Sequence, residues 1–246
     1  MSIIINDDYK AIDTTYGKMI INRHEFGLPW MLEKEGEWVP TEIEFLMQFA
    51  KGFCVDIGAN IGTHTLAFAR QATYVWSFEP QQLTYYTLCS NLLLNNVFNA
   101  MPLPIALGNY DGMAQMWTPD PRVRNASAGI RAGQDGNTQV FMRRLDSFNV
   151  SPVHFIKIDV EGAELEVLQG AQETLKKHHP IVYVEVHKEE LIDPICALMD
   201  SLGFRGNRGV ETSIIRPDGD PNDKENEVPL LKLWGYLFMG KDVVIG

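Results

Sequence analysis

The spacing of hydrophobic positions along this chain changes repeatedly, and each change marks an element. Within residues 1–40 the runs are short: "YGKMIINR" predicts part of a hairpin, and Pro29 opens a short helix to about Lys34. Thr41 and Glu44 have capping-box spacing ahead of "IEFLMQFA", and Gly52 stands where that helix would be capped. "FCVDIG" is a short apolar run ending at glycine, the pattern of a buried strand. Strand and helix then alternate. "HTLAFARQA" predicts a helix, "YVWSFEP" a strand, and "QQLTYYTLCSNLLLNN" a helix with Leu83, Tyr86, Cys89 and Leu93 on one face. "MPLPIALG" predicts an edge strand, because its prolines cannot donate to a ladder. Residues 109–142 break the rhythm as a hairpin excursion that pairs "MAQMW" with "TQVFMRR". The rhythm resumes with strand 153–159, helix 162–176, strand "IVYVEVH" and a helix in "DPICALMDSLG". "GVETSIIRP" and "LLKLWGYLFMG" close the pattern as an antiparallel pair.

Strands alternating with helices predict an α/β domain, a mostly parallel doubly wound sheet with helices on both faces. The 246 residues suit one such domain, with 1–40 as a lead-in and 41–246 as the core. No apolar run approaches the length of a membrane span, and "MSIIINDDYK" lacks the basic start and apolar stretch of a signal peptide. Cys54, Cys89 and Cys196 are isolated and form no C-x-x-C, so no disulfide framework is expected. A cytoplasmic location follows from that reading. The formal charge of −11 disfavours nucleic acid as a partner. "DGDPN" (Asp218 to Asn222) imitates the start of a calcium loop but fails at its later positions, and the "NAS" sequon at Asn125 matters only on secretion.

Ligands of such sheets sit beyond the carboxyl ends of the strands. The first strand-to-helix turn runs Asp56-Ile57-Gly58-Ala59-Asn60-Ile61-Gly62, and Glu79 ends the next strand 23 residues after Asp56. Glycines allow a tight turn and close approach of a ligand, and an acid at that offset accepts hydrogen bonds from a ribose diol. The dinucleotide fingerprint requires a second glycine where Asn60 stands, and Asp56 pointing into the loop would repel a pyrophosphate. A cationic ligand without phosphate fits better. S-adenosylmethionine has that character: a sulfonium, an ammonium, an adenine and a ribose.

The stretches "VDIGANIGTHTLAFA", "FEPQ", "NLLLNN", "ALGNYDG", "RRLDSF", "IKIDVEGAELEVLQGA" and "VYVEVH" occur in the order found in the FkbM-type S-adenosylmethionine-dependent methyltransferases, which this chain resembles over roughly residues 37 to 190. The resemblance implies a Rossmann-like class I methyltransferase fold whose first loop holds the amino acid part of the cofactor. It matches Glu79 to the ribose-binding acid and Ala106 with Leu107 to the segment near adenine. His64 departs from the family, in which an aromatic is common there. Many members are thought to methylate hydroxyls of sugars, lipo-oligosaccharides or polyketide-like metabolites.

"FIKIDV" reads as a buried strand yet carries Lys157 and Asp159. Alternation puts Phe155, Lys157 and Asp159 on one face, with the two charges about 6.6 Å apart along the strand. With the strand lying between those that carry Asp56 and Glu185, Lys157 is expected to be a buried cation flanked by these acids. Asp159 and His187 end neighbouring strands, and either could take the proton of an acceptor hydroxyl. Glu161 and Glu164 sit in the first turn of the next helix, where acids favour the dipole. Asp159, Glu161, Glu185 and His187 also offer metal-binding donors, but no metal is expected. The chain therefore reads as an O-methyltransferase with Asp56, Gly58, Asn60, Gly62, Glu79, Ala106 and Leu107 at the cofactor. The excursion, through its arginines, is expected to cover the acceptor. Two alternatives stay open: an adenosyl-binding protein without catalysis, and a nicotinamide-dependent oxidoreductase.

Overall fold

The computed structural model describes residues 2–25, 27–118, 120, 122, 132–133, 136–150, 152–215 and 230–240, with the side chains of 132–133 and 207–234 excepted. Asn125, Arg124, Arg131 and the stretch Asp218 to Asn222 lie outside the described residues.

The chain opens with a small antiparallel sheet, β1 (Ile3–Ile4), β2 (Tyr9–Thr14) and β3 (Gly17–Asn22), followed by α1 (Leu28–Glu35) and α2 (Pro40–Met47). The alternating part follows: β4 (Phe53–Ile57), α3 (Thr63–Phe68), β5 (Tyr74–Phe78), α4 (Gln82–Leu94) and β6 (Ala100–Leu103). Next come β7 (Ile105–Leu107), β8 (Gly112–Met116), β9 (Ala132–Gly133) and β10 (Thr138–Arg143), which form a separate four-stranded sheet in the order β7-β10-β8-β9. β11 (Phe155–Ile158), α5 (Glu164–Gln169), α6 (Gln172–His178), β12 (Ile181–Val186), α7 (Ile192–Ser201), β13 (Phe204–Ile215) and β14 (Leu230–Gly240) complete the chain.

The main sheet has the order β13-β14-β12-β11-β4-β5-β6. Its five core strands are parallel, and β14 runs antiparallel to both β12 and β13. Strand order reverses between β4 and β11, which makes the crevice beyond their carboxyl ends the place for a ligand. One face of the sheet buries Cys54, Phe155 and Tyr183 against the lead-in and α2–α4; the other buries Val55, Ile156 and Val182 against α5–α7.

Several local expectations are corrected. α2 begins at Pro40, whose fixed φ suits a first helical position, so Thr41 and Glu44 form no capping box. Gly52 lies beyond that helix; its φ of +66° turns the chain into β4, and a Cβ there would sit 2.6 Å from His154 Nδ1. α4 turns Tyr86 and Leu93 to solvent and buries Thr87, Leu88, Asn91 and Leu92. The reason is Asn91: it donates to the carbonyls of Ile61 (2.8 Å) and Ile20 (3.2 Å) and accepts from the Ile20 amide (2.6 Å). The helix expected over 162–176 is two, because Asp146 accepts from the amides of Glu173 (3.0 Å) and Thr174 (2.8 Å) and caps a new start at α6. The edge-strand segment also divides, with β6 ending the main sheet and β7 opening the excursion's sheet. The hairpin of β8 with β10 forms as expected, with Val140 opposite Ala114.

Candidate active site

Beyond β4, β5 and β11 lies an open crevice of about 780 Å³. Its wall includes Gly58, Asn60, Glu79, Ala106, Leu107 and Asp159, together with Gln81, Met116 and Glu161. Asp56, Gly62 and His187 are not part of that wall.

The first loop is fixed by close approach. At Gly58 (φ +78°) a Cβ would lie 1.7 Å from the Asp159 carbonyl oxygen, so only glycine lets β4 and β11 end side by side. The amides of Gly58 and Ala59 both donate to Phe78 O at 3.0 Å, and that of Asn60 donates to Glu79 Oε2 at 3.0 Å. These three consecutive amides are therefore spent within the protein and form no cradle for a pyrophosphate. Glu79 also accepts from the Gln81 amide at 2.9 Å through Oε1. Each of its oxygens keeps a lone-pair direction for a ligand hydroxyl. Burial raises its pKa to about 7, against the pull of those two amides. Asp56 does not point into the loop. Fully buried, it accepts from Thr65 Oγ1 (2.6 Å) and faces Lys157 Nζ at 3.6 Å. Gly62 (φ +97°) packs on Leu88, where a Cβ would meet Cδ1 at 2.7 Å.

The opposite side is dense in charge. Lys157, 1% exposed, pairs with Asp159 (3.2 Å) and Asp56 (3.6 Å), and it donates to Gly58 O at 3.4 Å. Glu185, expected as its second flanking acid, acts on Lys157 at longer range and meets His187 Nε2 at 3.6 Å. Burial opposes the lysine charge, but Asp159, then Asp56 and Glu185, outweigh it and raise the pKa. Asp159 is likewise opposed by burial, yet Lys157 and His187 hold its carboxyl well below the usual range. His187 is clamped at both ring nitrogens, Nε2 by Asp159 (2.8 Å) and Nδ1 by Glu161 (3.3 Å). Burial disfavours its charge, but Asp159, then Glu161 and Glu185, push its pKa up to about 10. At neutral pH it is an imidazolium.

Glu161 sits in this cluster with φ +56°, a left-handed conformation that costs a non-glycine residue about 1–2 kcal/mol. Burial and Asp159 raise its pKa. Glu164 Oε1 accepts from the Gly162 amide at 2.6 Å, consistent with a helix-start role. His64 is explained by a partner that no local pattern singled out: buried Glu42 of α2 meets its Nε2 at 3.1 Å. The excursion brings Met116 to the crevice wall, whereas Arg144 is held by Asp111 and Arg122 reaches Asp8 at 3.5 Å. Gln81 and Met116 were not foreseen as wall residues; Gln81 lies within the quoted "FEPQ", while nothing in the excursion's pattern marks Met116. Asp159, Glu161 and His187 have the donor types and proximity of a metal site, but both imidazole nitrogens are engaged by carboxylates.

Comparison with known proteins agrees with this geometry. The chain is 30% identical over 134 residues to the hexuronic acid methyltransferase AglP of Haloferax volcanii, an alignment covering 54% of each protein. It is 26% identical over 204 residues to the 2-O-methyltransferase NoeI of Sinorhizobium fredii, covering 72% of this chain and 84% of that one. The crystal structure of a methyltransferase FkbM from Methylobacillus flagellatus superposes with a TM-score of 0.53 at 18% identity, over 76% of this chain and 44% of that one. The methyltransferase FkbM domain matches residues 56–205, well over half of the sequence. With the strand order and the first loop in place, the chain belongs to the FkbM family of methyltransferases, on the class I fold that takes S-adenosylmethionine.

Proposed function

We propose that the protein is an O-methyltransferase acting on a hydroxyl of a sugar, glycan or small metabolite. The observation that carries this reading is adjacency: the Glu79-braced first loop and the Asp159–His187–Glu161 cluster line or back one crevice. When bound, S-adenosylmethionine supplies an electrophilic methyl group on a sulfonium. Gly58 and Asn60 shape its bed, Gly62 sets the turn behind them, Asp56 braces the loop from beneath through Thr65 and Lys157, Glu79 accepts from the ribose, and Ala106 and Leu107 flank the adenine. The crevice is rich in acids, with Glu79, Asp159 and Glu161 in its wall and Glu185 behind, against Lys157 and His187. That balance suits a cationic donor and an uncharged accepting hydroxyl, and it disfavours a carboxylate as the methyl-accepting group itself. Asp159 and His187 form the fixed pair against which the acceptor is aligned with the S–C axis. The relatives named for a hexuronic acid and for a 2-O position support a sugar-like acceptor.

Calorimetry with S-adenosylhomocysteine and NAD, followed by transfer from labelled S-adenosylmethionine to glucuronate disaccharides, chitooligosaccharides and alicyclic alcohols, tests the proposal. The expected result is binding of the adenosyl compound alone and label recovered as a methyl ether. Binding without transfer to any acceptor would favour the non-catalytic reading, and NAD binding would revive the oxidoreductase.

A further inference from the structure

From the hydrogen-bonding state of the cluster we infer that Glu161, rather than Asp159 or His187, takes the proton of the acceptor hydroxyl; this rests on the O-methyl transfer proposed above. The three candidates differ in what their atoms already hold. Asp159 spends Oδ1 on His187 and Oδ2 on Lys157. His187 has a carboxylate against each ring nitrogen and, as an imidazolium, no lone pair to offer. Glu161 places Oε2 3.3 Å from His187 Nδ1, and among the described residues its carboxylate makes no hydrogen bond. Its side chain is 40% exposed and lines the crevice, so an accepted proton has a route to water.

The backbone supports the assignment. Glu161 and Gly162 take successive left-handed conformations, φ +56° and +99°, and only the second residue is glycine. Glycine would suit position 161 better conformationally, so the glutamate stands against local preference at the crevice wall. Such strain is a mark of functional positions. The groups acting on Glu161 are Asp159, His187, Glu164 and Lys157, and Lys188 packs over Gly162 with Cε 2.9 Å from where a Cβ would stand. Burial, then Asp159, raises the Glu161 pKa and with it the basicity of the carboxylate, while His187 works against that rise. In the step, the acceptor O–H bond breaks and its proton passes to Glu161. The oxygen electron pair forms the new O–C bond, and the pair of the broken S–C bond remains on sulfur, cancelling its positive charge.

The test compares wild type with Glu161→Gln and Glu161→Ala, using labelled S-adenosylmethionine and a glucuronate disaccharide. Glu161→Gln should lower kcat about a hundredfold or more, with affinity for S-adenosylhomocysteine unchanged. Added formate should restore part of the turnover in Glu161→Ala. Independently of turnover, the NMR titration of His187 should shift to lower pH in Glu161→Gln. A titration that does not move, or full turnover of Glu161→Gln yielding a methyl ether, overturns the assignment while leaving O-methyl transfer standing. A methyl ester as product overturns the hydroxyl reading itself, since an ionised carboxylate has no proton to give up.

Discussion

The two sides of the crevice hold their shape by opposite means. On the β4–β5 side, order comes from backbone: three consecutive amides tie to Phe78 and Glu79, and a glycine lets Asp159 O come within what would be 1.7 Å of a Cβ. On the β11–β12 side, order comes from ionised side chains around Lys157 and His187. The first side is intolerant of added volume, and the second of lost charge.

The largest expected effect breaks the charged side. Lys157→Met keeps volume but leaves Asp56 without its cation and Asp159 with His187 alone, and breaking a buried pair costs about 3–5 kcal/mol. Denaturant melts should show that loss, and a variant as stable as wild type would mean that the lysine charge does not hold the strand ends together. The amide side should respond in binding instead. Glu79→Ala removes the acceptor for two hydroxyls, and charge-assisted bonds of about 1.5–3 kcal/mol predict at least a tenfold loss of S-adenosylhomocysteine affinity. Equal affinity by calorimetry would remove Glu79 from the cofactor site.

The smallest effects are proton-linked and differ between the sides. Glu79 has a folded pKa raised to about 7 from 4.5, so it favours folding below 4.5 and loses that contribution as pH rises toward 7. Its ionised form is the one that accepts from a diol. Cofactor affinity should therefore climb between about pH 6 and 8, and Glu79→Gln should flatten the climb. His187, raised to about 10, contributes stability that is complete below 6.5 and fades as pH rises through 10. Melts of His187→Asn should lack that alkaline slope.

Much of this was legible in the sequence because it depends on local pattern. The order of strands, the hairpin excursion, the glycine turn and the burial of Lys157 follow from period, turn chemistry and the cost of an unpaired charge. What was missed depends on contacts between distant segments. The buried face of α4 differs from the Leu83, Tyr86, Cys89 and Leu93 stripe because Asn91 turns inward, its partners being backbone groups of Ile20 and Ile61. The break before α6 depends on Asp146, and the pairing of His64 on Glu42, neither being a neighbour in sequence. Lys157 was placed correctly between strands, but Asp159 stands nearer to it than Glu185 does, because strand order does not say which rotamer reaches which acid.

Asn91 also separates two meanings of the word module. The family match begins at residue 56, but that amide joins Ile20 of the N-terminal hairpin to Ile61 of the first loop, and Met19 and Ile21 share a core with Phe68 and Leu88. A transplant of residues 56–205 would carry the inherited signature while stripping Asn91 of its Ile20 contacts and opening that core to water. What heredity marks as a portable block and what must travel together to stay folded are different lengths of this chain.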